Sequence, residues 1–167
     1  AFIDDIMTTR VLAIARYTVL EAVRTRLVLA VAIAVLLALG LSAFVHELAL
    51  IQDARMQTTV YAAIARLIAV FIIALHVGGS LAREFNDKGL DSILALDIPR
   101  WQYIAGKYAG YAMLGIATAA LSALPLIALG DYGSVLAWFT SLALETCIIA
   151  AISMFCVVTF SHLPSAM

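Results

Sequence analysis

The sequence predicts an all-α fold: a polytopic bundle of transmembrane helices, with an interfacial helix ahead of the first span and a cytoplasmic amphipathic helix between the second and third. Three observations carry this. The 167 residues are 65% hydrophobic and 13% charged, with a mean hydropathy of +1.07, whereas soluble domains are about half apolar and a quarter charged. Four apolar stretches reach the roughly 20 residues a bilayer crossing needs. Between two of those stretches, a charged segment from Arg83 to Lys107 alternates polar and apolar residues as a surface helix does. Residues 1–167 read as a single transmembrane domain.

The first element is a helix over residues 9–26. Val11, Ile14, Ala15, Thr18, Val19 and Ala22 fall on one side, and Arg16, Glu21 and Arg24 fall elsewhere. Charges at about one-turn spacing suit a helix lying in the membrane interface, and Thr8 or Thr9 suits its N-cap. The spans follow at about 27–45, 60–82, 101–130 and 135–160. Apolar residues surround each of them, as expected where lipid or protein covers every face. Small residues at Ala30, Ala34, Ala38 and Ser42, and the pair Gly106 and Gly110, mark surfaces where helices approach closely. Gly78 and Gly79 are read the same way, and Pro125 is expected to kink the third span.

Positive charge sets the orientation. Eight of the ten Lys and Arg residues (Arg10, Arg16, Arg24, Arg26, Arg83, Lys88, Arg100 and Lys107) precede the first span or lie between the second and third. The positive-inside rule makes that side cytoplasmic, with the N-terminus inside.

Between the spans, Phe85, Leu90, Ile93, Leu94 and Leu96 recur at helical spacing from 83 to 96, with Glu84, Asp87, Lys88 and Asp91 at the complementary positions. Gly89 weakens this helix, and Asp97-Ile98-Pro99 ends it. Lys107 falls close to the start of the third span, and two charged residues fall deep inside spans: Arg66 in the second and Glu145 in the fourth. Their depths match, so they form a candidate intramembrane pair. It reads either as a structural lock or as the polar lining of a path.

Several function classes drop out. A net charge of −1 without a basic run gives no footprint for nucleic acid. Cys147 and Cys156 are read as packing residues. His46, Glu47, His76 and His162 lack metal-ligand spacing, and His76 with Ser80 lacks the nucleophile-elbow pattern. Gly106-Lys107 is followed by Tyr108, so it is no phosphate loop. The chain is expected to be no enzyme, with no catalytic residue, metal or cofactor of its own. The first 26 residues hold Asp4, Asp5, Glu21 and four arginines and lack the compact apolar core of a signal peptide. Further residues are expected ahead of Ala1 and beyond Met167.

The sequence REFNDKGLDSILALDIPRWQYIAGKYAG, set after an interfacial helix and two spans, resembles the ABC-2 type permeases, the membrane subunits of a class of ABC transporter. The likeness rests on Arg83, Glu84, Phe85, Lys88, Leu90, Asp91, Leu94, Leu96, Pro99, Arg100, Gly106 and Lys107. Gly89 departs from the usual Thr, and Asp97-Ile98 from a small polar pair. The resemblance implies that residues 9–26 form the elbow helix and 83–96 the coupling helix, which enters a cleft on a cytoplasmic ABC ATPase subunit. Phe85, Leu90, Ile93 and Leu94 would then anchor the cleft, with Arg83, Glu84, Asp87, Lys88 and Asp91 as flanking charges. ATP and Mg would be bound by the ATPase. The family's six spans imply two more than the four read here, and its members work with a second permease copy or a homologue. The implied setting is the bacterial inner membrane, and the implied activity is transport in the direction of export. The rival expectation is a non-transporting anchor that recruits a soluble or membrane partner through the same 83–96 helix.

Overall fold

A computed structural model describes residues 2–48, 54–86, 100–128 and 132–161. These form five helices: α1 (Phe2–Arg24), α2 (Leu27–Leu48), α3 (Ala54–Asn86), α4 (Arg100–Ala128) and α5 (Tyr132–Ser161). Four of them, α2 to α5, are long and apolar enough to cross a membrane. Large apolar side chains such as Leu36, Leu37, Leu75 and Phe155 lie exposed on the outside of the bundle, as lipid contact requires. The chain is a multi-pass membrane protein.

The four long helices run alternately up and down. At the end where α1 lies, Leu27 and Val31 open α2 and meet Val77 and Leu81 late in α3, Tyr111 and Leu114 early in α4, and Ala150 and Met154 late in α5. At the far end, Ala38, Tyr61, Ala65, Ala123, Leu126 and Val135 close the core in the opposite order. On α3 the buried residues recur every fourth position, at Tyr61, Ala65, Ala69, Ile73, Val77 and Leu81, the ridge of one helical face. The Tyr61 hydroxyl donates to the Ser122 carbonyl at 2.8 Å. Helix α4 is the hub: it touches every other helix, and 44% of its apolar stretch is buried against 17% for α2.

Helix α1 packs most extensively on α4, and glycines make the approach. A Cβ at Gly106 would stand 2.8 Å from the Ile14 Cβ, and one at Gly110 would stand 2.6 Å from the Thr18 Cβ and 3.0 Å from the Ala15 carbonyl oxygen. Ile14 meeting Gly106 and Thr18 meeting Gly110 means that α1 and α4 run in the same direction. Gly106 and Gly110 therefore seat the N-terminal helix. Gly115 plays the span-to-span part, with Thr146 of α5 against it. Gly78 and Gly79 make no such approach, because an added Cβ meets nothing within 4 Å at either.

One residue turns α1 into α2. Arg26 adopts a φ of 60°, and its N–H donates to the Val23 carbonyl while that of Thr25 donates to Glu21. A left-handed arginine costs about 1 kcal/mol, and it leads the chain from α1 into α2 without a loop.

Element boundaries differ from the sequence reading mainly on α3, which extends past the expected 60–82 at both ends. Residues 83–86, expected to open a separate cytoplasmic helix, instead continue α3. The remainder of the expected 83–96 helix, from Asp87 onward, lies outside the described residues. Helix α1 begins well before residue 9. Helix α4 runs unbroken through Pro125.

Gly110→Ala is expected to lower stability by about 2 kcal/mol, the usual cost of forcing a methyl into a filled contact. Gly78→Ala and Gly79→Ala are expected to be neutral or to raise stability, since alanine is the better helix former. Thermal unfolding in detergent micelles, followed by circular dichroism, ranks the three.

Candidate functional site

Two polar sites interrupt the apolar bundle. The first, at the α1 end, is built on Lys107. An ammonium one turn and a half into an apolar helix must find carboxylates or water, and its side chain is only 7% exposed. Glu84, in the last turn of α3, brings its Oε2 to 2.8 Å from Lys107 Nζ, and Glu21 of α1 brings its Oε2 to 3.6 Å. The closer contact is an attraction of charges short of ideal hydrogen-bond alignment. The Ser80 hydroxyl donates to Glu21 Oε1 at 2.7 Å, and the Tyr111 hydroxyl donates to Ser80 at 3.3 Å. Lys107 Nζ also stands 5.9 Å from the centre of the Tyr111 ring, and His76 meets that ring edge-on. Three helices are thus tied at one ammonium.

This cluster bounds the connecting segment. Glu84 closes α3 just before the segment begins, and Lys107 follows just after α4 resumes at Arg100. Their contact holds the two ends of that segment together, and Glu21 fastens α1 to the same point. Sequence reasoning placed Glu21 among the outward charges of its helix; the structure turns it inward. From sequence, Lys107 counts only among the cytoplasmic-side charges and the residues of the resemblance, and Ser80 is weighed only beside His76, whereas in the structure Ser80 bonds to Glu21.

The individual site residues fall out as follows. Arg83 is exposed at the end of α3. Glu84 faces Lys107 rather than standing among outward flanking charges. Phe85 lies in the last turn of α3, outside the residues whose side chains are described. Asp87, Lys88, Leu90, Asp91, Ile93 and Leu94 lie outside the described residues altogether.

The second site lies deep in the membrane-crossing part. Arg66 stands ten residues inside α3's apolar stretch from Met56, and Glu145 eleven inside α5's from Ser134, which is about 15 Å along each helix at 1.5 Å per residue. Arg66 Nε lies 3.2 Å from Glu145 Oε2, and Arg66 Nη2 donates to the Ser141 hydroxyl at 2.8 Å. The expected pair is therefore formed. Beside it is an open depression of about 430 Å³, lined by Ala62, Ala63, Leu67, Phe71 and Trp138 together with the pair. The side chains remain 36% and 41% exposed. An unpaired charge at the centre of a membrane helix costs about 2.5–3.5 kcal/mol, so each charge is the other's reason for being there.

Among the described residues, no group of three or more His, Cys, Asp or Glu side chains is arranged to hold a metal ion. Comparison with known proteins gives no match: no protein-family model, no curated protein and no solved structure is significantly similar to the chain.

Glu84→Ala strands the Lys107 ammonium against the more distant Glu21 and is expected to cost about 3 kcal/mol, as breaking a buried pair does. Glu84→Gln combined with Lys107→Met removes both charges and is expected to recover most of that loss. Unfolding by SDS titration measures both variants.

Proposed function

We propose that this chain is a permease subunit of an ABC-2 type ABC transporter. In this reading it forms half of a membrane pathway and takes its energy from a separate cytoplasmic ATPase. The observation that carries the reading is the segment between Glu84 and Lys107, whose sequence resembles the family's coupling region and whose two ends are clamped together at 2.8 Å. A lever is useful only if its base is fixed. Here the base joins α1, α3 and α4, so a push on the segment reaches three helices at once. An amphipathic helix supplies the stiffness and an apolar face for a partner's cleft, and the charges around it set its register. The four spans supply the membrane part. The positive residues on the α1 side of the sequence support a cytoplasmic location for that end under the positive-inside rule, where an ATPase would meet it. The proposed setting is the bacterial inner membrane, and the proposed direction is export.

Arg83, Phe85, Asp87, Lys88, Leu90, Asp91, Ile93 and Leu94 are the proposed contact set for the ATPase. Glu84 is withdrawn from direct contact and holds the base of the lever.

Leu90→Asp and Leu94→Asp put a charge into the proposed cleft anchors while keeping Glu21, Glu84 and Lys107 themselves unchanged. Each is expected to cut transport-dependent ATP hydrolysis at least tenfold in the complex purified from native membranes. Unchanged coupling would sink the reading. A purified complex that contains no nucleotide-binding subunit would favour an anchor protein instead.

A further inference from the structure

We propose that the face formed by α3 and α5, centred on Arg66 and Glu145, is where a second copy of this chain packs within the membrane, with each copy's Arg66 meeting the partner's Glu145. Two permease copies already belong to the reading above. The new element, which rests on that reading, is the face they share and the ion pairs that close it.

The argument begins with exposure. The guanidinium and carboxylate are 36% and 41% exposed at a depth where hydrocarbon surrounds the bundle. Intramembrane charges face a protein interior or water, and no described residue covers these two. Their own contact is incomplete as well. The Arg66 Nε–H is not aligned on Glu145 despite the 3.2 Å approach, and only Nη2 has a hydrogen-bond acceptor, Ser141. The Nε atom is enclosed at that contact, so the remaining Nη N–H groups and Glu145 Oε1 are what a further partner of the opposite sign can reach.

The arrangement of charge selects the occupant. A free cation or anion approaching this face would meet one attractive and one repulsive group side by side. A second copy related by a two-fold axis meets neither difficulty, because rotation exchanges the positions and sets each positive group against a negative one. Self-complementarity of this kind is what an isologous interface requires. The surrounding shape agrees. Ala62 and Ala63 leave a depression beside the pair, and Leu67 and Phe71 project next to it, so the knobs of one copy have holes to enter on the other. Small residues beside bulky ones are the usual surface of helix association in lipid.

Charge swapping between copies tests this directly. Arg66→Glu makes the face doubly negative and Glu145→Arg makes it doubly positive, so each variant expressed alone is expected to lose at least five-fold in dimer yield. Co-expressed with different tags, the two are expected to form a heterodimer at a yield within two-fold of the unmodified chain. A pair acting only within one chain cannot be rescued by mixing, so failure of rescue overturns the proposal. So does wild-type dimer yield from either variant alone.

A second measurement leaves both charges in place. With Cys147 and Cys156 replaced by alanine, Leu67→Cys is expected to be cross-linked between copies in membranes by a short bismaleimide. Leu37→Cys, exposed on α2 away from this face, is expected not to be. Cross-linking at Leu37→Cys alone overturns the proposed face while leaving a two-copy permease intact. A monomer under every condition overturns both.

Discussion

Burial of the Lys107 ammonium is the constraint around which one end of this protein is organised. A charge placed inside an apolar helix has to be met by opposite charge, and the carboxylates that meet it come from two different helices. Glu84 fixes the end of α3 and Glu21 fixes α1, while Ser80 and Tyr111 extend the network into hydroxyl contacts. The glycines at 106 and 110 serve the same end, since only without a side chain there can α1 come close enough for Glu21 to reach. Sterics and electrostatics thus act together in seating α1, while the Glu84–Lys107 contact joins α3 and α4.

The molecule treats its two charged sites differently. At the α1 end the ammonium is enclosed and shared, and the bundle is self-sufficient. In the membrane-crossing half, Arg66 and Glu145 neutralise each other yet stay open along the α3/α5 seam. A closed site locks helices within one chain. An open one holds charge in reserve at a surface, and its energetic balance is completed only by what comes to rest against it.

Much of the fold was legible because apolar run length is a strong signal in a membrane protein. The centres of all four spans, and the matched depth of Arg66 and Glu145, follow from counting residues. The ends were harder. Helix α3 continues through ARMQTT at one end and AREFN at the other, where hydrophobicity has faded but nothing breaks the backbone ladder. Glu21 shows a different failure. It stands seven positions after Ile14 and three after Thr18, the spacing of one helical face, so the sequence held the signal that it points inward. Its charge argued for solvent, and the buried lysine that reverses that argument lies on another helix. The glycine pair at 106 and 110 was recognised as a close approach, but spacing alone does not say which helix arrives. Gly78 and Gly79 carry the same composition signal and meet nothing.

The seat of α1 has a consequence for how the protein is made. Helix α1 leaves the ribosome before α4, to which Gly106, Lys107 and Tyr111 belong. At 5–20 residues per second, the 85 residues between Glu21 and Lys107 take about 4–17 s to synthesise. During that interval Glu21 has no ammonium to meet and the apolar side of α1 has no groove. A nascent chain halted before α4 would carry α1 without its partner, available to chaperones and proteases until α4 is inserted.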